Sequence, residues 1–168
     1  MGLEFVSKVT ISGSTSEVNL TGIDSDDVYF FTYRNVQCTT DNSAFRARAI
    51  VSGSADTSSN YSRAYRVYKA YASFANDNAN SQGEWFLGQL GTPAQEQGNG
   101  WGYLYNWNST SKKAMANVSL FDFNSISKLS GNQGGWVYIN TGTARTGINF
   151  FMSAGNFDTG EFVLYKIT

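Results

Sequence analysis

The sequence predicts an all-β fold, an antiparallel, jelly-roll-like β-sandwich forming a single domain over residues 1–168, and three observations lead there. The chain carries 4 Trp, 10 Tyr and 12 Phe but only one Pro, with a charged fraction of 15%. Apolar runs of strand length recur along it, separated by Ser-Gly, Thr-Gly, Asp-Asn and Gly-Asn pairs that supply turn chemistry. Amphipathic helical stripes are scarce between those runs, which favours two antiparallel sheets packed face to face, with about eight or more strands.

The candidate strands follow in order. Phe5 to Ser12, Glu17 to Thr21, Val28 to Gln37 and Phe45 to Val51 occupy the first third, and Tyr65 to Ala72, Glu84 to Leu87 and Gly102 to Trp107 the middle. Ala114 to Phe123, Trp136 to Asn140, Ile148 to Ser153 and Glu161 to Ile167 complete the set. Tyr61 to Phe74 is compatible with a helical stripe (Tyr61, Ala64, Tyr65, Tyr68, Ala72) or a strand face (Tyr65, Val67, Lys69, Tyr71), and its aromatic richness favours the strand. Ser52 to Asn60, Asn76 to Gly83 and Gln89 to Gly100 read as polar loops and as the places where neighbours would be contacted. The last two strands read as a hairpin, with Phe162, Leu164 and Lys166 on one face and Val163, Tyr165 and Ile167 on the other.

A length of 168 residues suits one core, and no linker, internal repeat or heptad run divides the chain. Net charge is −1 and the basic residues are scattered, so there is no electrostatic footprint for nucleic acid. No apolar run approaches the ~18 residues of a membrane span and the start lacks a signal-peptide pattern, which predicts a soluble chain made in a cytoplasm, with no membrane partner. The one cysteine, Cys38, has no intramolecular partner and reads as a buried, inert thiol.

With no histidine in the chain, imidazole-based nucleophilic catalysis and most zinc or iron sites are excluded. What is left to an enzyme is carboxylate chemistry, and the acids sit mostly in turns. Glu84, Asp122 and Glu161 would have to line one cleft for a glycosidase pair, and nothing in their spacing brings them together. The expectation is therefore no enzyme, no catalytic residue and no cofactor. Asp24-Ser25-Asp26-Asp27 offers oxygen ligands for a hard cation but lacks the EF-hand spacing, so it reads as a solvated turn and no metal site is assigned.

Aromatic residues supply the candidate contacts. Trp101, Tyr103, Tyr105 and Trp107 recur at period two, either as the inward face of the sandwich, with Gly102, Leu104 and Asn106 outward, or as a platform on which sugar rings stack. Trp85 and Trp136, each in glycine-rich surroundings, read as core or as interface anchors. Phe30-Phe31 and Phe150-Phe151 place adjacent rings on opposite faces of one strand, so one ring of each pair is exposed unless both faces are covered. A covered outer face implies assembly with another subunit.

Two segments carry a family resemblance. Ser153-Ala154-Gly155-Asn156-Phe157-Asp158-Thr159-Gly160-Glu161-Phe162-Val163-Leu164-Tyr165-Lys166-Ile167 is similar to the "SGNIDSGTIKLYGI"-like ending of small β-sandwich virion structural proteins of tailed bacteriophages, especially marine and cyanobacterial ones. Thr21-Gly22-Ile23-Asp24 followed by the aromatic strand Val28 to Val36 resembles the "TGID" opening of the same family, while residues 52–114 match it weakly. The resemblance implies localisation in the virion and a capsid decoration or cement subunit that bridges the major capsid protein or other virion proteins. A homo-oligomer, with a trimer favoured, would suit that role. The alternative it leaves is a tail-fibre or receptor-binding module that recognises bacterial surface glycan.

Overall fold

A computed structural model describes residues 2–124 and 128–168, and among them no helix occurs. The strands are β1 (Leu3–Thr15), β2 (Glu17–Thr21), β3 (Tyr29–Cys38), β4 (Ser43–Val51), β5 (Ser54–Ala55), β6 (Tyr61–Lys69) and β7 (Ala75–Gln82). They continue with β8 (Trp85–Leu90), β9 (Gly98–Tyr105), β10 (Ala114–Asn124), β11 (Lys128–Tyr138), β12 (Arg145–Met152) and β13 (Phe157–Ile167). All pairings are antiparallel. One sheet has the order β1-β13-β3-β9-β10-β11-β6-β7; the other runs β2-β12-β4, with β5 and β8 both pairing β4.

The winding is that of a jelly roll. β1, β13, β3 and β9 lie in one sheet and β2, β12, β4 and β8 in the other, so successive strands of the roll cross from sheet to sheet. The remaining pairs, β6–β7 and β10–β11, extend the first sheet to eight strands. The extension is what gives this sheet its broad outer face.

The expected closing hairpin is not formed. β12 pairs with β2 and β4, whereas β13 pairs with β1 and β3, so Ser153 to Asn156 carries the chain across the sandwich. Turn residues permit a hairpin or a sheet-crossing corner equally, and the winding selects the corner. Within β13 the expected alternation holds: Phe162 and Leu164 are fully buried, while Tyr165 lies on the other face. Asn76 to Gly83, expected as a loop, is mostly β7, an edge strand held by its ladder to β6 despite a sequence poor in β-branched residues. The doubtful segment is a strand, Tyr61–Lys69, and Ser52 to Asn60 contains the short β5.

Two aromatic clusters fill the interior. Phe45, Phe150 and Phe162 interlock with centroids 5.1–6.2 Å apart, and Tyr33 meets Phe45 edge-on at 5.0 Å. Beneath the extension, Trp85 stacks on Trp136 at 5.0 Å with planes 8° apart, and Trp107 and Tyr61 close on the same indole. Rings of this size dominate the area removed from water. At that end of the roll Arg145 is fully buried, its guanidinium donating to the carbonyls of Asn140, Thr143, Asn106 and Lys112.

Candidate functional site

The outer face of the eight-stranded sheet is built by strand alternation. On β3, Tyr29, Phe31 and Tyr33 point inward, which leaves Phe30, Thr32 and Arg34 outside. On β9, Gly102 and Leu104 are buried, which turns Trp101, Tyr103 and Tyr105 outward. The core-facing alternative for these three rings is thus overturned: Trp101 and Tyr105 are 36% and 37% exposed. Trp107 parts from them. Asn106 takes φ 54°, which breaks the period-two phase, and Trp107 turns in to be fully buried with its indole N–H donating to the Gly147 carbonyl at 3.0 Å. Trp85 and Trp136 are also core, at 1% exposure each, so these three tryptophans cannot touch a glycan or a neighbouring subunit.

Register aligns the outward residues into one row that crosses all eight strands. Phe5 stands opposite Tyr165, Tyr165 opposite Phe30, and Phe30 opposite Tyr103. Tyr103 in turn stands opposite Asn117, followed by Gly135, Ala64 and Asn78. The first half is a ridge of rings, with centroids 6.3 Å apart for Phe5 and Tyr165, 6.4 Å for Tyr165 and Phe30, and 5.0 Å for Phe30 and Tyr103. Trp101 and Tyr105 flank Tyr103 along β9 at 5.6 and 6.4 Å. The second half is a trough. Small side chains at Gly135 and Ala64 leave a hollow of about 360 Å³, bordered by Met115, Val137, Ser62 and Asn80 and almost wholly apolar.

Charge stays at the margins of this face. Glu161 accepts from Lys8 and from Arg34, the latter at 2.8 Å, and these two cations hold its carboxyl below the usual range. Exposed apolar side chains continue around the ridge and trough at Leu3, Met115, Phe121 and Leu129. Sequence reasoning missed Phe5, Phe30, Tyr165, Gly135 and Ala64 as members of the face. Alternation placed Phe30 and Tyr165 on a face, but only the long-range register puts them in one row.

Glu84, Asp122 and Glu161 do not line one cleft. Glu84 binds Arg46 and Arg48 at 2.6 and 3.0 Å, Glu161 lies on the outer face, and Asp122 points inward. Asp122 borders a cavity of about 210 Å³ with Gly88, Gln89, Phe86, Ser130 and Asn132. Burial raises its carboxyl above the ordinary range, against hydrogen bonds from Ser130 and the Gln89 backbone. The Asp24–Asp27 turn is tied by Tyr29, Lys112 and Lys166. Among the described residues no three Cys, Asp or Glu side chains converge as metal ligands would.

What the outer face offers chemically is contact: ring faces and edges and aliphatic surface on one half, with amides and hydroxyls among small side chains on the other. No family model, curated protein or solved structure matches this chain. The reading of its function therefore rests on the residues themselves.

Proposed function

We propose that this chain is a non-catalytic structural subunit of a tailed-phage particle, an external capsid decoration or cement protein that works by bridging its neighbours. The observation that carries the reading is the unburied row of Phe5, Tyr165, Phe30 and Tyr103 with Trp101, Tyr105 and Met115 beside it. A contiguous apolar face of this kind marks an interaction surface, since free monomers seldom keep one. Its composition favours a protein partner over a sugar: Leu3, Phe5 and Met115 are 57%, 61% and 44% exposed and have no group that a hydroxyl can hydrogen-bond.

The segments that carry the phage resemblance support the same reading. β3 and β13, which carry that resemblance, lie side by side and supply Phe30 and Tyr165 of the ridge. The mechanism is passive: a rigid roll presents the face, and repetition around a particle multiplies weak contacts.

A second reading, a tail-fibre or receptor-binding module for bacterial surface glycan, has one observation in its favour. Trp101, Tyr103 and Tyr105 stand outward in sequence along β9, as a stacking platform requires. Quantitative mass spectrometry of purified virions separates the two. Copies comparable to the major capsid protein support a cement role, a handful per particle supports the fibre module, and absence from virions refutes both.

A further inference from the structure

We infer that the outer face of the eight-stranded sheet docks onto a second copy of this chain, the aromatic ridge of each copy entering the apolar trough of the other. The inference rests on the reading of this face as an assembly surface and names its partner.

The argument is one of shape. The row has four ring positions followed by four small or polar ones, in strand order across the sheet. Two such faces can be apposed about a two-fold axis in two simple ways. If the axis runs across the strands along this row, each position of the row meets itself, so rings stand on rings and small positions on small ones. If the axis runs parallel to the strands, between β9 and β10, the row is reversed on itself. Phe30 then lies over Gly135, Tyr165 over Ala64, and Tyr103 against Asn117, where a phenol meets an amide. Only the second arrangement fills the 360 Å³ hollow, and close filling is what an interface core requires.

Charge is compatible with the reversed arrangement. The neighbouring row along the strands carries Lys8, Val163, Thr32 and Trp101 on the ridge side and continues through Ser119, Gln133, Arg66 and Asn76. Reversal sets Lys8 opposite Asn76 and Arg66 opposite Val163, so no like charges meet. The third row, Tyr105, Met115, Val137 and Ser62, is uncharged in either case.

Size is sufficient. Eight strands at a spacing of about 4.8 Å give a face ~34 Å wide, and strands of eight or more residues at about 3.3 Å each run ~26 Å, which matches the roughly 800 Å² per partner of a standard interface. The contact is isologous, so it closes on itself and leaves the rest of the roll free for other particle components.

The test is sedimentation equilibrium on the full chain, with Ala64→Arg to fill the trough and Tyr165→Ala to lower the ridge. Ala64 is exposed, so arginine there displaces nothing in the core. The expected result is a wild-type dimer at micromolar concentration, with each variant weakened at least about tenfold in Kd and unchanged in circular dichroism. A short bismaleimide then reads the register: an equimolar mixture of Phe30→Cys and Gly135→Cys chains should give a cross-linked dimer that neither variant gives alone. Gly135 admits a Cβ, its nearest neighbour being the Ala116 carbonyl at 3.5 Å, and Cys38 is buried. Cross-linking of Phe30→Cys with itself would overturn the ridge-in-trough contact. So would a folded wild-type chain that stays monomeric, including one that instead binds a glycan array through Trp101. A monomer abundant in virions would sink this contact and leave the structural reading intact; a dimer absent from virions would do the reverse.

Discussion

The ring of Phe31 fills the space into which a side chain at Gly102 would project: a Cβ built on Gly102 would stand 2.5 Å from one ring carbon and 3.0 Å from a methyl of Val118. This contact fixes which face of β9 is the inside. With Gly102 pressed against Phe31, the flanking Trp101 and Tyr103 have to face outward.

Gly102→Ala should therefore destabilise the fold, by about 1–3 kcal/mol, because Phe31 is fully buried and has little room to yield. Gly135→Ala, on the outer face, should cost less than about 1 kcal/mol, since its Cβ meets only ordinary contact distances. Urea unfolding of the two variants checks the contrast. Equal losses would contradict the assignment of faces.

Trp136 carries both a stack and a hydrogen bond. Its indole lies on Trp85 at 5.0 Å, and its N–H donates to the Tyr65 hydroxyl at 2.6 Å, which in turn donates to the Phe86 carbonyl. Trp136→Phe keeps a ring in the stack and loses the bond, and should cost about 1–2 kcal/mol. Trp136→Ala opens a cavity between the sheets as well, and should cost about 3–5 kcal/mol. The graded loss is read from denaturant midpoints at constant m-value.

Much of the fold was legible because it depends on local pattern. Phe30-Phe31 and Phe150-Phe151 do split across their strands: Phe31 and Phe150 are buried, while Phe30 joins the outer ridge and Phe151 sits under the Arg48 guanidinium at 4.3 Å. What was illegible depends on partners distant in sequence or on a single dihedral. Trp107 continues the spacing of Trp101, Tyr103 and Tyr105, and nothing local announces that Asn106 adopts a left-handed backbone that reverses the phase. The aromatic row is a product of pairings between residues as far apart as Phe5 and Tyr165, and no periodicity within one segment encodes such a register. β7 escaped because Ala75–Gln82 has turn-like composition and becomes a strand through its ladder with β6.

Arg145 is a buried cation whose guanidinium donates to four backbone carbonyls, with the Tyr138 ring beside it at 5.7 Å. It ties the Asn106–Lys112 and Asn140–Thr143 segments to the end of β12. Arg145→Lys keeps the charge but loses the planar fork, and should cost about 2–4 kcal/mol. Hydrogen exchange should accelerate first at residues 106–112 and 140–143. Uniform acceleration across the sandwich would argue against a local clamp.

Asp122 makes the stability of the roll depend on pH in a sense opposite to that of the surface carboxylates. Burial raises its carboxyl, outweighing the hydrogen bonds from Ser130 and the Gln89 backbone. The native state consequently keeps a proton over a range in which the unfolded chain has released it. The contribution is complete below the ordinary carboxylate range, about pH 4, and is lost as pH climbs through the raised native value. Glu161 and Asp27, lowered by their lysine and arginine partners, act the other way: their contribution is present above the ordinary range and fades on acidification. Asp122→Asn isolates the buried group, since it leaves the surface pairs in place and keeps an acceptor for the Ser130 hydroxyl. The stability of the variant minus that of the wild type should rise as pH is taken from acid toward neutral and then level off. Urea titrations at matched ionic strength across that range measure it. A flat difference would show that Asp122 titrates as an ordinary exposed carboxylate, and a falling one that its carboxyl is lowered in the fold.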